Sequence, residues 1–169
     1  HQGGSFAAGW LLDRMEEADP PRPVLVEWLD IALSRKTLVH PLAILSRLNR
    51  MASDGSIELA SRIATLLPRA WDLDSEGATR LEQTLLSREP LVRCSLAGAL
   101  DEIIHRRGAE ALPLIDKLLS DESVDVIRIA TSSLRLTTNL DSEGFATRCA
   151  RLVHLGDSGV SRQFAQTTL

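Results

Sequence analysis

Apolar residues recur at helical spacing along nearly the whole chain, and no stretch shows the sustained alternation typical of a strand. The clearest cases are segments 24–33, 85–104 and 123–134, where apolar residues repeat every four positions. Breaks rich in Pro, Gly, Asp and Ser separate such segments at regular intervals. The pattern predicts ten helices, at residues 6–17, 23–35, 41–52, 57–70, 75–87, 90–105, 109–119, 124–136, 142–154 and 159–169.

The apolar positions also repeat from one pair of helices to the next, with a period of about 33–34 residues. In the even-numbered helices the repeated positions are Leu25, Leu59, Val92, Val126 and Val160. In the odd-numbered helices they are Leu12, Leu45, Ala78, Leu112 and Phe145. A helical hairpin cannot bury its apolar faces alone, so repeated hairpins stack on one another. We expect a single domain, 1–169, of about five antiparallel hairpins, at about 6–35, 41–70, 75–105, 109–136 and 142–169.

The sequence ALPLIDKLLSDESVDVIRIATSSL, residues 111–134, resembles the HEAT-repeat family. It shares a Leu-Pro-x-Leu first helix, Leu-Leu before an acidic turn, and a second helix with Val, then Ala and Leu. Residues 81–100 match nearly as well, but the Asp of the turn is missing from 88–90, and the other hairpins match only in their apolar positions. The resemblance implies an all-α fold, a right-handed α-solenoid of HEAT-like repeats with that same period, and mainly scaffolding and protein–protein interaction.

Composition and charge narrow the possible functions. The net charge is −4 and the pI about 5.6, which argues against broad nucleic-acid binding. Cys94 and Cys149 form no CxxC motif, so we interpret them as small core residues in a reducing, cytoplasmic environment. No run of apolar residues is long enough to suggest a membrane span. Residues 1–4, His-Gln-Gly-Gly, are expected to be disordered or to derive from cloning.

One sequence occurs twice, as LDSEGATR from residue 73 and as LDSEGFATR from residue 140. The acidic residues and the Gly resemble the start of an EF-hand calcium loop. The acidic ligand that should close the loop at its twelfth position is Gln in one copy and Ala in the other. We therefore predict that Asp74 and Asp141 cap the following helices instead. We predict no metal and no cofactor.

The sequence shows no catalytic constellation, so we expect a protein that is not an enzyme. None of the four histidines is followed by Glu, as the iron ligands of HEAT-like hydroxylases are. An alternative is a HEAT-like nucleic-acid-binding protein or DNA glycosylase, in which Trp28 with Asp30, or Trp71 with Asp72, would lie on the concave face. The second helices carry no coherent basic row, which weighs against that alternative. Trp28 and Trp71 are more readily packing residues or exposed anchors for a partner.

The favoured function is a protein–protein interaction or scaffold module with a protein partner. The chain could also be a fragment or a regulatory domain of a larger enzyme. We expect the second helix of each hairpin to form the concave binding face. Exposed candidates for partner binding on that face are Glu27, Asp30, Arg62, Arg93, Arg128 and Arg162.

A second candidate surface is an outer basic row on the first helices, composed of Arg14, Arg47, Arg80 and Arg148. Such a row could bind an acidic partner or phosphates. Two positions further along these helices are Glu16, Asn49, Glu82 and Asp116, and the arginine row skips that fourth helix. The simpler interpretation is that the Arg of one hairpin pairs with the acidic residue of a neighbouring hairpin.

Overall fold

The computed structural model describes residues 3–18, 23–34 and 40–168, with side chains described for 6–18, 23–34 and 40–167. These ranges are helical and contain no strand, which confirms the predicted all-α class. None of their helices is both long enough and apolar enough to cross a bilayer. The helices are α1 (Gly3–Glu17), α2 (Pro23–Leu33), α3 (Pro41–Asp54), α4 (Ile57–Ala64), α5 (Leu67–Leu73), α6 (Ser75–Leu86), α7 (Pro90–Gly98), α8 (Leu100–Arg107), α9 (Leu112–Leu118), α10 (Val124–Thr131), α11 (Ser142–Leu155) and α12 (Ser158–Thr168).

The helix boundaries lie close to the predicted ones, with some differences. Helix α1 begins at Gly3, so Gly3 and Gly4 are helical, while His1 and Gln2 lie outside the described residues. The predicted breaks at 19–23 and 37–41 also fall largely outside them. Short 3-10 helices at Gly108–Ala111 and Leu134–Thr137 replace ends of the predicted α-helices.

The second helices of the middle three hairpins are interrupted, which the apolar pattern did not predict. Predicted helix 57–70 is α4 and α5, predicted helix 90–105 is α7 and α8, and predicted helix 124–136 ends as a 3-10 helix.

Two of these interruptions have an evident chemical cause. In a continuous helix the ring of Pro68 would clash with the carbonyl of residue 64, and α4 ends at that residue. The hydroxyls of Thr65 and Ser132 donate to the carbonyls of Arg62 and Ile129, which favours local turns over helix continuation.

Contacts between helices define two compact units, His1–Leu96 and Ala97–Leu169. In the first unit α1 packs on α2 and α3, while α6 packs on α3 and α5. In the second unit α10 packs on α9 and α12, and α11 packs on α12. Helices of neighbouring hairpins therefore contact one another in each unit. The arrangement of all five hairpins as one solenoid, and as one domain, stays a prediction.

The repeated apolar positions form the core. All five positions of the set in the second helices are buried, and so are Leu12, Leu45 and Ala78 in the first helices. Leu112 and Phe145 are half-buried. Burying one such side chain contributes about 1.5–3 kcal/mol, so the repeated positions account for much of the stability.

The repeated LDSEG sequence starts a helix at both of its occurrences. Asp74 Oδ1 accepts from the Gly77 amide at 2.7 Å, and Asp141 Oδ1 accepts from the Gly144 amide at 2.9 Å. The predicted caps are thus confirmed. A Cβ at Gly77 would lie 2.8 Å from Leu45 Cδ1, and one at Gly144 would lie 1.9 Å from Asp141 Oδ2. The neighbouring side chains therefore leave no room for a Cβ at either glycine.

Arg88 joins the third hairpin to the end of α3. Its Nη1 donates to the carbonyls of Ala52 and Ser53, and its Nη2 donates to the Gly55 carbonyl at 3.1 Å. The side chain is only 14% exposed, and Nε pairs with Glu89 at 2.9 Å. Carbonyls at a helix end lack partners within the helix, so one guanidinium satisfies several of them and also opposes the negative end of the helix dipole.

Replacing Arg88 by Ala should lower the free energy of unfolding by about 1–3 kcal/mol, because partly buried carbonyls lose their donors. Chemical denaturation followed by circular dichroism measures this change. The matched control is Arg80→Ala, since Arg80 is 59% exposed and pairs with Glu76 of its own helix. That control should change stability by less than about 0.5 kcal/mol. Equal effects of the two substitutions would contradict the assignment.

Asp74→Ala should cost about 1 kcal/mol of stability, since the Gly77 amide loses its acceptor, whereas Asp74→Asn should retain most of it. Thermal unfolding of the two variants side by side tests this. The cap assignment would be wrong if Asn and Ala lowered the melting temperature equally.

Candidate protein-binding surface on the first hairpin

Large apolar side chains are exposed on the first hairpin. On α1, Phe6 and Trp10 are one helical turn apart and are 77% and 44% exposed. On α2, Val24, Trp28 and Ile31 are 39%, 50% and 54% exposed. Residues four apart share one face of a helix, and other residues of α1 and α2 form the buried faces. The exposed set is therefore a coherent apolar surface.

A groove of about 460 Å³ lies between α1 and α2 within this surface. We call it the aromatic groove, and its lining residues are Trp10, Arg14, Glu17, Ala18, Val24, Leu25 and Trp28. Most of the lining is apolar, and the two charged side chains come from the end of α1. A groove with apolar walls and a few polar groups has the composition expected of a binding site.

Arg14 and Glu17 form the charged part of the groove. Arg14 Nη1 lies 2.6 Å from Glu17 Oε2, and the two side chains are 53% and 61% exposed. The Arg14 guanidinium carbon is 5.7 Å from the centre of the Trp10 ring, a distance suited to a cation–π interaction. The arginine is thus held by one aromatic ring and one carboxylate of its own helix.

Other members of the predicted basic row bind acidic side chains of the preceding hairpin. Arg47 contacts Glu16 with two hydrogen bonds, Nε–Oε1 at 3.0 Å and Nη2–Oε2 at 2.7 Å, and it also lies 2.6 Å from Asp13. Arg148 contacts Asp116 in the same bidentate way, Nε–Oδ1 at 2.7 Å and Nη2–Oδ2 at 3.0 Å. These pairs match the simpler interpretation of the row.

The four arginines therefore differ in what they offer to a partner. Arg148 is buried and Arg47 is three-quarters buried, both engaged with carboxylates. Arg80 is exposed and lies 3.3 Å from Glu76 of its own helix. Arg14 is exposed and is the one that lines the aromatic groove.

The hydrogen bond from Arg47 is the main reason why the pKa of Glu16 is lowered to about 2. Burial acts against it, and a further hydrogen bond from Arg50, at 2.8 Å, lowers the pKa again. In the second unit, the hydrogen bond to Asp116 raises the pKa of Arg148. The Glu16–Arg47 pair is thus fully charged near neutral pH, and both pairs hold adjacent first helices together.

Among the predicted partner-binding residues, Arg93 requires a correction. It was expected to be exposed, but it is only 8% exposed and its Nη1 donates to the Arg88 carbonyl. Its guanidinium turns back to the Arg88 carbonyl, just before α7 begins, and this keeps the side chain against the protein.

The other five candidates keep more exposure. Asp30 is half-buried and accepts from Arg69 Nε at 2.8 Å, and Arg128 is exposed and lies 2.9 Å from Asp125. Glu27, Arg62 and Arg162 are exposed. Of the six, Glu27 and Asp30 belong to α2, whose Trp28 lines the aromatic groove.

A second cavity, of about 470 Å³, lies in the second unit and is polar. Asp116, Asp141 and Arg148 line it, but both carboxylates already bind this arginine. In the part of the chain that the structure describes, no three His, Cys, Asp or Glu side chains are grouped so as to hold a metal ion. The aromatic groove is therefore the better candidate for a binding site.

Sequence reasoning identified Trp28 as a possible anchor but did not identify the groove. The spacing of the large apolar residues could have indicated it, because it places them on one face of α1 and one face of α2. These residues are Phe6, Trp10, Val24, Trp28 and Ile31.

The Glu16–Arg47 pair should make stability depend on pH. Because the folded pKa of Glu16, about 2, lies below its ordinary value of 4.5, this stabilisation is complete above pH 4.5 and is lost as the pH falls toward 2. The difference in unfolding free energy between wild type and Glu16→Gln should be constant above about pH 5 and should shrink below it. Urea denaturation at a series of pH values measures the difference, and a constant value down to pH 2 would contradict the prediction.

Comparison with known proteins gives no match: no protein-family model, no curated protein and no solved structure is similar to this chain. The resemblance to HEAT repeats therefore stays a prediction that rests on the residues of the chain itself.

Proposed function

We propose that the chain is a non-catalytic protein-interaction module with HEAT-like repeats, and that the aromatic groove binds its protein partner. The observation that carries the proposal is the pair of half-exposed tryptophans, Trp10 and Trp28, on the two walls of one groove beside an exposed arginine. Trp and Arg are the residues that most often dominate binding energy at protein interfaces. A coherent exposed apolar surface marks an interaction site.

The repeat pattern supports a functional origin for these tryptophans. One and two repeat lengths after Trp10 the chain has Ala43 and Glu76, and after Trp28 it has Arg62 and Ser95. Hairpins of this protein therefore pack without an aromatic residue at either position. The first hairpin departs from the pattern where the groove is formed, which favours selection for binding over selection for packing.

The other hairpins of the first unit support the two helices that form the groove. Their apolar positions and the arginine–carboxylate pairs fix α1 against α3 and α2 against α4 and α5, so both walls of the groove are held in place before a partner arrives. A preorganised site loses less conformational entropy on binding.

Substituting either Trp10 or Trp28 by Ala should weaken partner binding about tenfold or more, as expected for central interface residues. The measurement is affinity capture from extracts of the source organism with quantitative mass spectrometry, followed by calorimetry with each purified captured protein. Leu42→Ala is the matched control, since Leu42 is 51% exposed on α3 and lies outside the groove.

A partner should be lost with both tryptophan variants and kept with Leu42→Ala. Unfolding free energies of all three variants separate a loss of binding from a loss of folding. Retention of every captured protein by folded tryptophan variants would overturn the proposal.

A further inference from the structure

Arg14 occupies a position at which two of the other three arginines of the row take up a carboxylate from a neighbouring helix. Arg47 and Arg148, the equivalent residues of the second and fifth hairpins, bind Glu16 and Asp116 in bidentate geometry. In both cases the carboxylate belongs to the first helix of the preceding hairpin. The guanidinium at this position is therefore set to pair with a helix packed alongside.

In the first hairpin, the partners of Arg14 among the described residues are Glu17 and Trp10 of its own helix. An exposed ion pair three residues apart contributes little, because both charges remain in water. A carboxylate delivered by an incoming helix would be held more strongly, since that helix would also exclude water from the Arg14–Trp10 contact. Arg14 is thus bound only weakly within its own helix.

We infer that the partner of the aromatic groove is an amphipathic α-helix of another protein, whose Asp or Glu binds Arg14 while its apolar side chains fill the groove. This inference rests on the proposed function. Helices bind such grooves through apolar anchors spaced three or four residues apart, and two tryptophans on facing walls suit that spacing. The carboxylate would sit at the Arg14 end, next to Trp10.

The charges around Arg14 restrict the partner helix further. A smaller cavity of about 300 Å³, also lined by Trp10, has charged residues along the rest of its wall: Asp13, Arg14, Glu16, Glu17 and Arg47. Arg47 is already engaged with Asp13 and Glu16. Among the described residues that line the two cavities, Arg14 is therefore the one exchangeable cation, and a second acidic residue on the partner would meet carboxylates. We expect a single acidic residue, flanked by apolar ones.

A second copy of this chain is a poorer occupant. In a head-to-tail contact in which the fifth hairpin packs on the first, that hairpin would have to supply the carboxylate, as the preceding hairpins do for Arg47 and Arg148. The position of the fifth hairpin that corresponds to Asp116, one repeat length later, is Ala150. It has no carboxylate to bind Arg14.

The test is a display library of helical peptides with apolar residues at positions i, i+4 and i+7 and random residues between them, selected on the full chain. Peptides with Asp or Glu at one fixed position should be enriched. Selection on Arg14→Glu should enrich Lys or Arg at that same position. Arg80→Glu is the matched control, because Arg80 has similar exposure and a similar pair with a Glu of its own helix, and it should select the same acidic peptides as wild type.

The tightest selected peptide should then bind Arg14→Gln about tenfold more weakly than wild type. It should bind Glu17→Gln more tightly, because this variant frees Arg14 from its competing carboxylate. A purely structural role of Arg14 would not produce opposite effects of the two substitutions. Calorimetry measures both affinities, and thermal unfolding shows that the variants fold.

The outcomes separate this inference from the proposed function. Selected peptides that need Trp10 and Trp28 but show no acidic preference would overturn the inference and leave the groove as the binding site. Peptides whose binding is unaffected by Trp10→Ala and Trp28→Ala, or a selection on wild type that enriches nothing above a selection without the protein, would overturn both.

Discussion

The structure depends on one constraint: a two-helix hairpin has more apolar surface than it can bury by itself, so each hairpin must be completed by its neighbour. The polar contacts follow the same rule. The side-chain hydrogen bonds of Arg47 with Glu16, Arg88 with Gly55 and Arg148 with Asp116 join residues 31, 33 and 32 positions apart. Each spans about one repeat. Stability is therefore assembled from contacts between adjacent hairpins, with apolar burial providing most of it and charged pairs fixing the alignment of the first helices.

The first hairpin differs from the others in its exposed side chains, because it presents a face that no other described hairpin covers. The equivalents of Arg14 in the second and fifth hairpins bind carboxylates of the hairpin before them. Arg14 instead lies on Trp10 and pairs with Glu17. An arginine that aligns two hairpins elsewhere in the chain is thus able to exchange its partner carboxylate here. It can therefore align the helix of a binding partner.

Features set by local sequence could be predicted, and features set by neighbours could not. The caps at Asp74 and Asp141 and the buried repeat positions follow from composition over a few residues and from the period. The breaks within the second helices depend on whether hydroxyls such as that of Thr65 turn back onto the backbone. Arg93 is buried with its guanidinium bonded to the Arg88 carbonyl, a contact that spacing does not reveal. The sequence did predict, in general terms, that arginines of one hairpin pair with acidic residues of a neighbouring hairpin. The groove was not predicted because the sequence does not show whether a neighbouring helix covers Trp10.

The magnitudes indicate why the groove needs both its tryptophans and its arginine. A Trp buries about 150–250 Å² when fully covered, so covering the exposed half of each ring removes about 100 Å² from water. At about 25 cal/mol per Å², the two rings together would contribute about 5 kcal/mol. Association itself costs about 4–15 kcal/mol in lost translational and rotational freedom. The tryptophans alone therefore barely offset that cost. Neighbouring apolar side chains such as Val24 must add area, and the carboxylate bound by Arg14 must add both energy and orientation, which makes one acidic residue on the partner a requirement of the site.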